Sequence, residues 1–180
     1  AAPRYVNMAV PSSPSLEIFS PPASPLFLRE DEVRRGVELL FFGYTRLTRS
    51  VDELLVEHGF GRAHHRALYF IARQPDLPVS ALLKILSITK QSLGRVLNDL
   101  AAKALVETRA GEVDRRQKLL RLTESGAAFE ALLFEALRTG LSAAYAAAGQ
   151  ESVTGFWRVL EGLIPEDERQ MVMALQGRGR

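Results

Sequence analysis

Apolar residues recur at spacings of three and four over most of the chain, the period of helices that bury one stripe. From Asp31 to about His58 the stripe runs through Val37, Leu40, Phe41, Tyr44, Leu47, Val51, Leu54 and Leu55, and Gly59 is a natural stop. A second helix is predicted from about Arg62 to Arg73, ending before Pro75. Val79 to Leu86 is a short apolar segment, Ser87-Ile88 a tight turn, and Thr89 a good N-cap, because its hydroxyl can accept an orphan amide of the next turn. The helix it opens runs to Lys103. The pattern then shortens to Leu105-Val106-Glu107-Thr108-Arg109, a polar tip with Gly111 and Asp114-Arg115-Arg116, and a return through Lys118-Leu119-Leu120-Arg121-Leu122. Helical spacing resumes from Ser125 to Ala148, where Leu133, Leu137 and Leu141 are four apart. Two further helices carry Phe156, Leu160 and Leu163, stopping at Pro165, and Met171, Val172 and Leu175.

Helix, strand, basic tip, strand and helix in that order make a winged helix. The expected fold is therefore mainly α with a small β-hairpin wing, a winged helix-turn-helix flanked by long terminal helices suited to a dimerisation layer. In a helix-turn-helix the second helix is the reader. At about 100° per residue from Thr89, Leu93, Val96, Leu97 and Leu100 share one arc, the buried one. Gln91, Arg95 and Asn98 lie opposite. Gln and Asn match adenine and Arg matches guanine in a major groove. Gly94 and Ala102, on the same side, would let the helix approach bases closely. Alone, such a helix is equally an amphipathic helix with a solvated polar face. Its neighbours decide: a hairpin has no structural need for arginines at its tip, whereas a minor-groove probe does, because a narrow groove concentrates negative potential.

Residues 60 to 126 resemble the MarR family of bacterial transcriptional regulators. The resemblance is carried by Ile88-Thr89-Lys90-Gln91-Ser92 at the start of the reading helix, by Asp114-Arg115-Arg116, and by Leu120-Arg121-Leu122-Thr123-Glu124-Ser125-Gly126. It implies a homodimer built from terminal helices that binds a palindromic double-stranded DNA operator. It also implies that Asp114 and Arg116 steady each other in the wing, with Arg115 as the neighbouring phosphate or groove contact. Candidate DNA contacts are thus Thr89, Lys90, Gln91, Ser92, Arg95, Asn98, Arg115 and Arg116, with Asp114 stabilising the wing. One departure is visible: where the family often has glycine after the reading helix, this chain has Lys103-Ala104-Leu105.

The net charge of +2 hides an uneven distribution. Between Arg62 and Arg121 there are 12 Lys or Arg against 5 Asp or Glu, a net +7, and the remainder carries −5. Positive charge is concentrated in the expected DNA-binding lobe, about residues 60–124, while the dimerisation helices are expected over about 30–58 and 125–176. Residues 26–180 read as a single domain. The first 25 residues hold six of the nine prolines and five serines, and read as an arm, either lying across a partner subunit or flexible. Without cysteine there are no disulfides and no thiol-based sensing. No apolar run reaches 18 residues and no secretory signal pattern opens the chain, so no membrane contact and a cytoplasmic location are expected.

No phosphate-binding loop or nucleophile elbow occurs, so no enzyme, catalytic residue or cofactor is expected. His64 and His65 are adjacent, diverge by about 100° on a helix, and cannot easily grip one metal ion together. Packing or surface roles suit them, or a share in a ligand pocket. The resemblance implies an effector crevice between the dimerisation helices and the DNA-binding lobe. Tyr44, Arg46, His64, His65 and Tyr69 are its candidates, an aromatic wall with a cation suited to a small planar anion. The alternative is that Tyr44 and Tyr69 are core and Arg46 a solvated charge. Two functions compete: a homodimeric, sequence-specific transcriptional repressor released by a small molecule, and a winged-helix interaction module that binds protein or RNA.

Overall fold

The computed structural model describes residues 24–176, in which a short 3-10 turn precedes seven helices and three strands. The helices are α1 (Glu30–Glu57), α2 (Arg62–Arg73), α3 (Val79–Leu86), α4 (Lys90–Ala102), α5 (Glu124–Ala148), α6 (Gln150–Gly162) and α7 (Glu166–Gln176). The strands are β1 (Leu77–Pro78), β2 (Val106–Ala110) and β3 (Lys118–Leu122). Most of the proline-rich segment lies outside the described residues. At its end, the Ser24 hydroxyl accepts the Leu26 N–H at 3.4 Å and caps the 3-10 turn Pro25–Leu28. The chain falls into two compact units that divide within α1, between Phe41 and Phe42.

In the first unit, α1 opens with Glu30, Asp31 and Glu32 at its N-terminus, where acidic residues complement the helix dipole. Glu30 is paired to Arg34 at 2.6 Å. Val33, Val37, Leu39, Leu40 and Phe41 are all exposed. The apolar spacing of this half of α1 is thus helical, as expected, but the stripe is not buried within the chain.

The second unit holds the core. Val51 and Leu55 of α1 join Leu68 and Ile71 of α2, Leu82 and Leu86 of α3, Leu93 and Leu100 of α4, Leu120 of β3 and Leu133 of α5. Each is almost wholly buried, and each contributes roughly 1.5–3 kcal/mol relative to an exposed position. Val96 is buried and Leu97 half-buried, so the arc expected to face inward on α4 does so. Helix α1 stops where expected: Gly59 takes a left-handed φ of 76°, and the Phe60 N–H returns to the Leu55 carbonyl at 2.8 Å.

The sheet order is β1-β3-β2, all antiparallel. The hairpin β2–β3 was expected; β1 was not, being two residues long and including Pro78. Proline is tolerated there because β1 is an edge. Leu77 pairs with Leu120 and Pro78 with Leu119. Asp76, at a φ of 62°, turns the chain into β1, and its carboxylate receives both the Nε and a terminal nitrogen of Arg121 on β3.

After α4 the chain reverses through Ala104, which adopts a left-handed φ of 54°. The Ala104 N–H bonds the Ala101 carbonyl at 2.9 Å and the Leu105 N–H bonds that of Leu100 at 2.9 Å, a complete Schellman cap. The missing glycine therefore leaves the turn unchanged, with an alanine held in a conformation that costs roughly 1–2 kcal/mol. The Leu105 carbonyl then accepts the Thr123 N–H at 3.1 Å, and Gly126 lies against it. A Cβ at Gly126 would sit 1.9 Å from that oxygen. We expect Gly126→Ala to destabilise the fold by about 3 kcal/mol, and Ala104→Gly to stabilise it by about 1 kcal/mol. Urea unfolding at fixed protein concentration checks both.

Candidate nucleic-acid interface

Helix α3 ends at Ser87, whose left-handed φ of 51° makes the sharp turn, with its N–H on the Leu83 carbonyl at 3.1 Å. Thr89 then caps α4. Its Oγ1 accepts the Ser92 N–H at 3.1 Å and donates to the Ser92 Oγ at 2.9 Å, so both hydroxyls are engaged in holding the first turn. With Leu93, Val96 and Leu100 turned into the core, Lys90, Gln91, Arg95 and Asn98 are all exposed. Gly94 faces open space. Among the described residues Arg95 and Lys90 form no ion pair.

The wing is closed by its own backbone. Gly111 donates to the Gln117 carbonyl at 2.9 Å and Gln117 to the Asp114 carbonyl at 3.0 Å. A Cβ at Gly111 would meet the Asp114 carbonyl oxygen at 2.6 Å, so this close approach excludes a side chain. Asp114 Oδ1 accepts the backbone N–H of Arg116 at 2.9 Å, an Asx turn. The steadying contact between these two residues thus runs through the amide, not the guanidinium. Arg115 and Arg116 are exposed and form no ion pair among the described residues. At the wing's root Arg121 is paired to Asp76, and nearer the tip Arg109 is paired to Glu107 at 2.8 Å. The hairpin therefore pairs the arginines of its strands and leaves the tip arginines to solvent.

The five effector candidates do not converge on one hollow. Tyr44 carries the Arg62 guanidinium over its ring, 5.4 Å from the centroid, and is exposed, not core. Arg62 also pairs with Asp52 at 2.7 Å and reaches the Thr48 hydroxyl at 3.3 Å, tying α2 to α1. The hydrogen bonds from Arg62 hold the Asp52 carboxyl below its ordinary range. Arg46 lines an open groove along α1 with Phe42, Arg49 and Glu53. Tyr69 lines a separate crevice of about 290 Å³ with Phe70 and Arg73 of α2, Ile85 of α3, and Met171 and Leu175 of α7. His65 is partly buried, its Nε2 lacks a hydrogen-bond partner, and burial lowers its pKa, partly offset by the Asp52 charge. His64 reaches Asp99 of α4, at 3.0 Å. Sequence reasoning missed this contact, together with the Asp76–Arg121 pair, because both join residues far apart in the chain.

The described residues thus form a winged helix-turn-helix with an exposed polar face on its second helix and exposed arginines at its wing tip. The MarR family model matches residues 58–117. Over 151 residues the chain is 46% identical to the HTH-type transcriptional regulator PetP of Rhodobacter capsulatus, covering 84% of this chain and 91% of that protein. The chain belongs to the MarR family. Family and relative are transcriptional regulators, a non-enzymatic class. The fold is that of solved MarR proteins. A MarR mutant from E. coli complexed with operator DNA superposes with a TM-score of 0.59 at 23% identity, over 79% of this chain and all of that one. NadR in complex with 4-hydroxyphenylacetate gives 0.61 at 21% identity, over 69% and 88%. Among the described residues, no helix is long and apolar enough to cross a membrane.

The Asp76–Arg121 pair makes the wing's root sensitive to acid. Hydrogen bonds from Arg121 lower the Asp76 pKa from its ordinary 3.8. A carboxylate with a depressed folded pKa adds stability that is present above the unfolded value and lost as pH falls through the folded one. The stability difference between the parent and Asp76→Asn is therefore expected to be constant at neutral pH and to shrink as pH falls below 3.8. Urea midpoints of both proteins across that range provide the check.

Proposed function

We propose that this MarR-family regulator acts as a cytoplasmic homodimer that binds a palindromic operator, represses transcription, and is released by a small molecule. Helix α4 lies in the major groove, and the wing tip enters the adjacent minor groove. The observation that carries the reading is the face of α4: Gln91, Arg95 and Asn98 stand exposed on a helix whose opposite side is locked in the core. Arg95 reads a guanine, Gln91 and Asn98 suit adenine, and Lys90 and Ser92 contact phosphate beside them. Thr89 acts through its cap. Arg115 and Arg116 supply the minor-groove charge, in a geometry set by Asp114.

Dimerisation is supported by apolar residues with no cover. On α6, Phe156, Trp157 and Val159 are exposed, as are Leu163 just after it and Phe41 and Phe42 on α1. Monomeric soluble proteins rarely leave so many large apolar side chains in water. In this partition, about residues 60–124 form the DNA-binding lobe and the flanking helices the dimer layer. For the effector, a small planar anion is supported by the aromatic wall that Tyr69 offers and by NadR, solved in complex with 4-hydroxyphenylacetate. The crevice beside Tyr69, with Arg73 at its wall, is the better formed place for it.

Substitution separates reading from holding. Arg95→Ala is expected to cost roughly 1–3 kcal/mol on the operator and to relax preference at one base pair per half-site. Folding stability stays unchanged, because the side chain is exposed. Lys90→Ala is expected to weaken all sequences alike and flatten the salt dependence. Binding-site selection with each variant tests this: an Arg95→Ala protein that selects the parent's sequence would overturn the assignment of the reading face.

A further inference from the structure

His64 occupies the third residue of α2 and uses both ring nitrogens. The Gly61 N–H donates to its Nδ1 at 3.1 Å, which satisfies one amide at the start of the helix. An Nδ1 that accepts leaves the proton on Nε2. Nε2 lies 3.0 Å from Asp99 Oδ2, and so donates to that carboxylate across 35 positions of sequence. The imidazole is well shielded, with 14% of the side chain exposed, and packs against Phe60 with ring centroids 5.0 Å apart. Asp99 is different. Its side chain is 59% exposed on a helix whose other charged side chains, Lys90 and Arg95, are cationic.

Asp99 is four positions after Arg95, the spacing at which side chains on one helix meet and opposite charges pair. Yet Arg95 forms no ion pair among the described residues, and the Asp99 carboxylate is turned to α2. We propose that His64 is a positioning residue for operator recognition: by engaging Asp99 from α2, it keeps that carboxylate from neutralising Arg95, and so leaves the guanidinium free for a base. The inference rests on the reading of Arg95 given above. It also assigns a purpose to an acidic residue on the reading helix. The same contact also ties α4 to α2.

The test uses full-length protein, a duplex selected by the parent from a random pool, and a shuffled duplex of the same composition, in fluorescence anisotropy at matched salt. His64→Asn keeps an acceptor near the place of Nδ1 but loses the reach to Asp99. It is expected to weaken the selected duplex about threefold to tenfold and the shuffled one less. Adding Asp99→Ala is expected to restore parent affinity, and His64→Gln, whose amide reaches the place of Nε2, to retain most of it. In an Arg95→Ala background, His64→Asn is expected to have no further effect. A His64→Asn/Asp99→Ala protein as weak as His64→Asn alone overturns the proposal, since the defect would then be structural. So does a His64→Asn protein with parent affinity, the result expected if released Asp99 turned to Lys103 instead. An Arg95→Ala protein that keeps the parent's affinity and preference defeats the reading of Arg95 itself, and this inference with it. Arg95→Ala damaging while His64→Asn is silent defeats the inference alone.

Discussion

The contact on which the rest of the molecule depends is that between the Leu105 carbonyl and the start of α5. Leu105 is the first residue after the left-handed turn that ends α4. Its N–H closes the Schellman cap, its side chain is buried, and its carbonyl receives the Thr123 N–H. Thr123 does more than cap α5 through the Gly126 N–H at 3.0 Å: its hydroxyl also donates to the Ala104 carbonyl at 2.6 Å. Reading helix, wing and long α5 are therefore fastened at one backbone junction, with Gly126 giving the room. The start of α5 is thereby bonded to the end of α4 and to the segment that opens the hairpin.

Charge is arranged on the same plan. Arginines near the core are committed to structure: Arg62 to Asp52, Arg121 to Asp76, and Arg73 to the Leu175 carbonyl at 2.9 Å, where it caps the last turn of α7. Arg95, Arg115 and Arg116 form no ion pair among the described residues. Exposed pairs contribute little to stability, so the committed arginines matter chiefly because they set geometry. On the proposed reading, the uncommitted ones meet the polyanion, where counterion release makes each contact count.

Much of this was legible in the sequence because it is local. The spacing of Leu93, Val96 and Leu100 set the rotation of α4, Thr89 marked its start, and Gly59 the end of α1. The tip arginines announced themselves by having no structural reason to be there. What escaped was non-local or too short to leave a period. Strand β1 is two residues containing a proline, and it exists because Leu120 and Arg121 of β3 receive it. Ala104 hid a left-handed turn behind a residue that rarely adopts one. His64 read as a packing or pocket residue, since nothing in the sequence links it to Asp99. The stripe of α1 was legible as a helix, yet its first half is exposed, because periodicity reports that a face is apolar and not what covers it.

Chemical footprinting of the operator with dimethyl sulfate, which methylates guanine in the major groove and adenine in the minor groove, tests the central account directly. With α4 in the major groove and the wing beside it, guanines are expected to be protected in two segments about one helical turn apart, with protected adenines flanking them. Arg95→Ala is expected to lose the guanine protection and keep the adenine protection. Protection of adenines alone, or a footprint without two-fold symmetry, would contradict the placement of the reading helix and the homodimer together.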